Sequence, residues 1–329
     1  MYTLVSKRPG VWLILAFVAM LSCFAASIAY GISEISIHTV WSALTDFNGS
    51  KEHVIIRTVR LPRALIALVV GACLGAAGAI MQALTRNPLA SPDILGVNQG
   101  AALLMVLSIF FMDDGSLMSR TWFAMIGAAL AAVLVYGLSS IGHRGLTPLK
   151  LTLAGATVAL LLSSITQGIL ILHERSLDEM RFWLAGSVAG RDIQLFLQAV
   201  PFMVIGILLA ILLSKQINLL SLGDDVAYGL GQKIVTVKLL SLAAVVLLTG
   251  SAVSVAGPIG FIGLAVPHIV RSLIGSDYRW VFPYSAVLGA ITLLAADIGA
   301  RFFYEVPIGV MTALIGAPFF IFLARRSVH

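Results

Sequence analysis

Arg86-Asn87-Pro88-Leu89-Ala90-Ser91-Pro92-Asp93-Ile94-Leu95-Gly96 is a polar hinge with two prolines, wedged between apolar runs at 64–84 and 94–112. Proline and the residue before it resist the α conformation, so a helix must break here. Crossing the hydrocarbon core of a bilayer takes about 20 apolar residues per helix, and the runs on both sides reach that length. The hinge therefore reads as a turn at a membrane surface.

Composition agrees. The 329 residues are 59% hydrophobic and only 11% charged, with a mean hydropathy of +1.01, whereas soluble domains carry about a quarter charged residues. The chain is read as all-α and polytopic. The isoelectric point near 9.5 does not indicate nucleic acid, because the basic residues stand singly between apolar runs, as a positive-inside bias requires. Cys23 and Cys73 both lie inside apolar runs, leaving neither a disulfide framework nor a metal-finger spacing. Lys7-Arg8 followed by the apolar run 11–30 imitates a secretory signal, and Met20-Leu21-Ser22-Cys23 imitates a lipoprotein cleavage site. Hydrophobic spans continue to the far end, so this segment is read as a retained first helix.

Apolar runs bounded by charge or by Gly and Pro give candidate spans at 11–30, 64–84, 94–112, 121–141, 151–172, 193–214, 236–256, 258–270, 284–303 and 307–324. Pro258, Gly260, Gly263 and Pro267 crowd the eighth, and such a broken segment is tolerated only where protein or a cavity satisfies its backbone. With the N-terminus in the cytosol, twelve of the 21 Lys and Arg face inward and nine outward, a modest bias. The reading is one permease domain over 1–329, with a cytosolic segment 1–10 and both termini cytoplasmic. Gly71–Gly96 and Gly250–Gly275 share six residues in register, either an internal repeat or chance in a chain with 30 glycines.

Catalytic signatures are missing. There is no G-x-x-x-x-G-K-[ST] phosphate loop, and no serine–histidine pairing stands out. His38, His53, His143, His173, His268 and His329 lie far apart, so no metal-ligand cluster is expected. Neither enzyme activity nor a cofactor on this chain is expected.

Polar segments between spans are the candidate sites. Segment 217–233 reads INLLSLGDDVAYGLGQK, with an apolar face in Leu219, Leu220, Leu222, Val226 and Leu230. Gly223 breaks the chain, Asp224 and Asp225 suit the free amides of a helix start, and Gly229 and Gly231 can close it. A short amphipathic helix at the membrane surface either seats in a partner's groove or lies at the interface as a plain loop helix. Arg57, Arg60 and Arg63 precede the second span on the outer face. They suit the carboxylates of a partner, which guanidinium grips bidentately, or they anchor to headgroups and Glu52. Arg301 stands four residues from both Asp297 and Glu305, a spacing that also allows local ion pairs. In Gly257-Pro-Ile-Gly-Phe-Ile-Gly-Leu-Ala-Val-Pro-His268-Ile-Val-Arg271, Pro267 is expected to prevent a regular last turn, and His268 to be a structural hydrogen-bonding group. Gly71-x-x-x-Gly75 and Gly186-x-x-x-Gly190 read as packing contacts. Ser163, Ser164, Thr166 and Gln167 in the fifth span can line a wet path or bond across helices.

The runs RNPLASPDILGVN, LLSLGDD, GPIGFIGLAVPHIVR and VPIGVMTALIGAPFF together resemble the FecCD-type permeases, from about Arg57 to Arg326. That resemblance implies a type II ABC importer permease of about ten transmembrane helices in the cell membrane. It implies separate ATP-binding-cassette ATPase subunits, an extracytoplasmic substrate-binding protein, and a second permease copy or paralogue. By the same resemblance, Arg60, Arg63 and Arg301 receive the binding protein. Leu222, Gly223, Asp224, Asp225, Ala227 and Gly229 belong to the helix that couples to the ATPase. The fifth and tenth spans line the pathway. SPDILGVNQGA is most similar to ferric siderophore permeases, ahead of haem or cobalamin permeases. An ion-coupled secondary transporter is the competing class, with Asp297 its only intramembrane acid.

Overall fold

The computed structural model describes residues 8–31, 35–112, 116–141 and 147–326, and of Leu117 and 319–326 the backbone alone. Lys7, His143, Arg144 and His329, which entered the charge and histidine readings, lie outside the described residues, as does most of the expected segment 1–10. Among the described residues every regular element is a helix. The chain begins with α1 (Pro9–Ala29), then the short α2 (Ile37–Thr45) and α3 (Lys51–Ile55), each capped by a serine. A π-helical turn, Ile56–Arg60, carries α3 into α4 (Leu61–Thr85). After the hinge come α5 (Val97–Phe111), α6 (Leu117–Ser140), α7 (Pro148–Leu172), α8 (Glu174–Leu184) and α9 (Ile193–Leu212). Then follow α10 (Ser214–Ser221), α11 (Asp224–Gly229), α12 (Ile234–Ala256), α13 (Ile262–Ile274), α14 (Tyr278–Phe302) and α15 (Ile308–Arg326).

Seven of these helices are long and apolar enough to cross a membrane, and α5, α13 and α15 are shorter apolar helices. Each of the ten apolar runs in the sequence thus corresponds to one helix. The hinge breaks as its prolines require: Arg86 ends α4 in the left-handed region at φ 49°, Pro92–Leu95 forms a 3-10 turn, and Gly96 is left-handed at φ 66°.

The centre of the bundle is α4, buried almost throughout from Pro62 to Thr85. Its small residues allow this, because they bring backbones together where bulkier ones would hold them apart. A Cβ on Gly71 or Gly75 would run into the backbone of Gly289 or Ser285 on α14, and one on Gly78 into Gly263 on α13. The expected packing role of Gly71 and Gly75 is what the structure shows. Gly186 and Gly190 differ: both are left-handed loop residues, and Gly186 alone presses on the Pro258 carbonyl.

The break near Pro267 falls elsewhere than expected. Helix α12 stops at Ala256, the chain turns through Gly257 at φ 72° and Phe261 at φ 75°, and α13 then runs through Pro267 to Ile274. The proline sits within that helix, and Gly257 and Phe261 upstream make the turn. The loop after α8 meets the end of α12, where Ser187 N donates to Ala256 O at 2.8 Å, and it also accepts at Gly186 O from Gly309 N of α15 at 3.1 Å. The six shared residues of 71–96 and 250–275 do not mark a common local fold. Gly78 lies inside continuous helix, whereas its counterpart Gly257 is where the helix ends.

Candidate functional site

Helix α4 carries chemistry at both tips. Its 25 residues span about 37 Å at 1.5 Å per residue, so Arg63 in its first turn and Arg86 just past its last lie at opposite ends of the bundle.

At the Arg63 end, three arginines and two carboxylates close into one cluster. Arg63 Nε donates to Asp297 Oδ1 at 2.7 Å, and Arg63 Nη1 to both carboxylate oxygens of Glu305, at 2.7 and 3.0 Å. Arg301 is paired with the other oxygen of Asp297 and donates to the carbonyls of Ser27 and Tyr30, each at 2.6 Å. Arg60 Nη1 donates to the carbonyls of Ile28 and Ala29, at 3.0 and 2.6 Å, and lies over Gly31, where a Cβ would crowd its guanidinium. The last turn of α1 thus serves as an acceptor for two arginines, its carbonyls being the ones a helix end leaves unpaired. Asp297 is fully buried, and Arg60 and Arg63 are buried too. A buried carboxylate between two guanidinium groups meets the requirement that interior charge be paired.

This arrangement refines the sequence expectations. Arg60, Arg63 and Arg301 are brought together, but as an internally paired cluster rather than a free rim. Arg301 pairs locally with Asp297. Glu305 leaves the helical register, because α14 ends at Phe302, and it reaches Arg63 instead. Arg57 faces outward from the cluster, donating to Ala43 O at 2.7 Å with its guanidinium 4.4 Å from the Phe47 ring. Neither Glu52 nor any other carboxylate is its partner among the described contacts.

At the Arg86 end, Arg86 donates to Leu220 O at 3.1 Å and pairs with Asp224, which also accepts from Lys238 Nζ at 2.7 Å. Burial alone would raise the Asp224 carboxyl. The hydrogen bond and charge of Lys238, with the Arg86 guanidinium, outweigh it and hold the group below the usual carboxylate value. Asp224 therefore does not cap its own helix; it ties α11 to α4 and α12. Gly223 makes the preceding turn at φ 126°, and Gly231, not Gly229, is the left-handed residue that follows α11. On that helix Ala227 alone is buried, whereas Val226, Tyr228 and Asp225 are exposed, as are Leu222 and Leu230 on either side of it. Leu220 is buried, so the exposed apolar face is narrower than the sequence pattern implied.

A second tie holds α10. Asn218 donates to Asp277 Oδ1 at 2.7 Å and accepts from Tyr278 N at 2.8 Å. Hydrogen bonds from Arg279, against a burial penalty and with help from Asn218, hold the Asp277 carboxyl down at about 2. Gln82 of α4 donates to Leu264 O at 2.9 Å and accepts from Arg271 at 2.6 Å. The end of α4 is thereby fastened to both α13 and the α10–α11 segment.

The four polar residues of the fifth span divide. Ser164 and Gln167 are exposed, Ser163 is half-buried, and Thr166 turns into the protein and donates to Leu162 O at 2.8 Å. Helix α7 is otherwise poorly covered, with Leu153, Leu160, Leu161 and Ile171 exposed.

The sequence did not reveal the pairing of Arg120 at the start of α6 with Glu179 on α8, nor the ties of Arg86 to Asp224, Asn218 to Asp277 and Gln82 to Arg271. The signal for α8 was its cap: the His173 side chain accepts from Ser176 N, and Ser176, Met180 and Trp183 recur at helical spacing as its buried face. No group of three or more His, Cys, Asp or Glu among the described residues could hold a metal ion.

Residues 17–326 match the model of the FecCD transport family. The chain is 50% identical to the "Probable siderophore transport system permease protein YfiZ" of Bacillus subtilis, over 98% of each chain. It is 48% identical to the Fe(3+)-citrate import system permease protein YfmD of the same organism, over 95% of this chain and 94% of that one. A solved structure described as an inward-facing conformation of a metal-chelate type ABC transporter superposes with a TM-score of 0.83 at 30% identity, covering 95% of this chain and 98% of that one.

Proposed function

We propose that this chain, which belongs to the FecCD transport family, is the permease subunit of an ATP-binding-cassette importer that carries a ferric siderophore into the cell. The observation that supports the mechanism is the central helix α4, buried along its length and tied at one tip to the Arg63–Asp297–Arg301 cluster and at the other to Asp224. The similarity to permeases named for siderophore and Fe(3+)-citrate transport favours an iron chelate over haem or cobalamin.

The Arg86 end faces the cytosol and the Arg63 end faces outward, with both termini cytoplasmic and the protein in the cell membrane. A loaded extracytoplasmic binding protein docks over Arg60, Arg63 and Arg301. Leu222, Gly223, Asp224, Asp225, Ala227 and Gly229 form the helix that seats in a separate ATPase subunit, with Leu222 and its exposed apolar neighbours as the contact face. The open side of α7, bearing Ser163, Ser164 and Gln167, faces the path between this permease and a second copy or paralogue; Thr166 turns inward and bonds to Leu162 of its own helix. Iron crosses inside its chelate. The chain itself is one non-catalytic domain, so the energy comes from ATP hydrolysed by the ATPase.

Ion-coupled transport fits the site less well. A coupling acid must exchange its ion during transport, and Asp297 is buried between two guanidinium groups. The experiment that separates the two uses proteoliposomes holding permease and ATPase, with binding protein and ferric siderophore outside. Uptake should require enclosed ATP and survive a protonophore. Uptake driven by a proton gradient without ATP would overturn the proposal.

A further inference from the structure

We infer that Glu305 is the resident carboxylate of the docking seat, keeping the place that an acidic side chain of the binding protein takes when it arrives. The inference rests on the docking reading above.

The two carboxylates of the cluster are not equivalent. Asp297 is fully buried and shared by Arg63 and Arg301, so it cannot leave. The Glu305 side chain is 38% exposed. It borders a cavity of about 580 Å³ lined by Tyr30, Ile298, Arg301, Phe302 and Tyr304. The loop that delivers it is held in an unfavourable backbone. Tyr304 and Glu305, neither of them glycine, are left-handed at φ 54° and 61°. Such a conformation persists only where something holds it. The Tyr304 side chain does not, being 99% exposed. The described hydrogen bonds that tie these two residues down run from Arg63 Nη1 to the Glu305 carboxylate.

The seat also has capacity to spare. Among the described residues, the buried Arg301 Nε has no hydrogen-bond partner. A carboxylate entering the cavity from outside can take over the Arg63 donor as Glu305 swings out, and residues 304–305 can then relax. Each exchange replaces one charge-assisted pair by another of the same kind. The partner therefore gains only the difference, which keeps docking reversible.

The test measures binding of the substrate-binding protein to the permease–ATPase assembly in nanodiscs at low ionic strength. It compares wild type with Glu305→Gln, which keeps the side-chain shape, and Glu305→Gly, which is at home at that φ. The partner is used intact and with its acidic surface residues neutralised to Gln or Asn. Removing the internal competitor should tighten Kd about tenfold, a difference of about 1.4 kcal/mol, for both variants, and the gain should vanish against the neutralised partner. Unchanged or weaker binding by both variants, while neutralisation weakens wild-type binding, would overturn the role of Glu305 and leave the docking reading standing. Equal binding of intact and neutralised partner to wild type would overturn the docking reading, and this inference with it.

Discussion

Asp297 and Glu305 both pair with Arg63, yet their environments differ enough to predict opposite costs. Asp297→Ala leaves Arg63 and Arg301 short of their buried partner, and breaking such a pair typically costs about 3–5 kcal/mol. Thermal unfolding of the detergent-solubilised protein should show a large loss for Asp297→Ala. Glu305→Gln removes a partly exposed pair, whose typical worth is about 0–1 kcal/mol, and should unfold close to wild type. Asp277 adds a pH dependence at the other end. Its folded carboxyl is held at about 2 against an ordinary 3.8, so the folded state binds protons less readily. Its contribution is full above about pH 4 and is lost as pH falls towards 2. Amide exchange in 214–222 should rise across that interval in wild type, and Asp277→Asn should abolish the pH dependence. Of these residues, only the Asp297–Arg301 pair was legible in the sequence, because four residues on a helix place side chains together. Arg63 lies 234 positions from Asp297, and only the packing of α4 on α14 brings them into contact. For the same reason the arginines read as a free rim, since their acceptors on α1 have no signature in sequence.

Among the helices, close approach is decided by single glycines. A Cβ at Gly78 would overlap the Gly263 backbone, so Gly78→Ala must force α4 and α13 apart, at a cost typical of overpacking, about 1–3 kcal/mol. Gly137 on α6 has nothing within 4 Å of such a Cβ. Gly137→Ala should therefore be neutral or stabilise by up to about 1 kcal/mol. Unfolding of the two variants side by side checks the contrast. On α11 the prediction concerns assembly. Val226→Asp puts a charge on the exposed apolar face without touching the buried Ala227, so the permease should fold normally while co-purification with its ATPase falls at least about tenfold. Long helices were legible because each fills an apolar run of spanning length. Helices α2 and α8 were not, because each is too short to form an apolar run of spanning length. The broken eighth span was recognised from Pro258, Gly260, Gly263 and Pro267 together, but Pro267, expected to disturb the last turn, sits inside α13. A proline's effect depends on whether neighbours satisfy the backbone it frees, which sequence does not reveal.

For the molecule as a whole, the main organising element is α4, whose two tips carry the sites expected to meet the two partners. The cations separate accordingly: Arg57, Arg60, Arg63 and Arg301 gather at one end, and Arg86, Lys238, Arg271 and Arg279 at the other. That segregation was only faintly legible, since counts of twelve and nine do not show which cations are neutralised internally. The family was legible, because its motifs lie where the chain must break or cross closely. Inward transport of a ferric siderophore is tested by uptake of radioactive iron across a panel of purified ferric chelates. The host is a strain lacking this permease and its other chelate importers, with and without the wild-type chain restored. Restoration should return uptake of at least one ferric siderophore and leave haem and cobalamin uptake unchanged. Restored haem or cobalamin uptake, with every ferric siderophore still excluded, would contradict it.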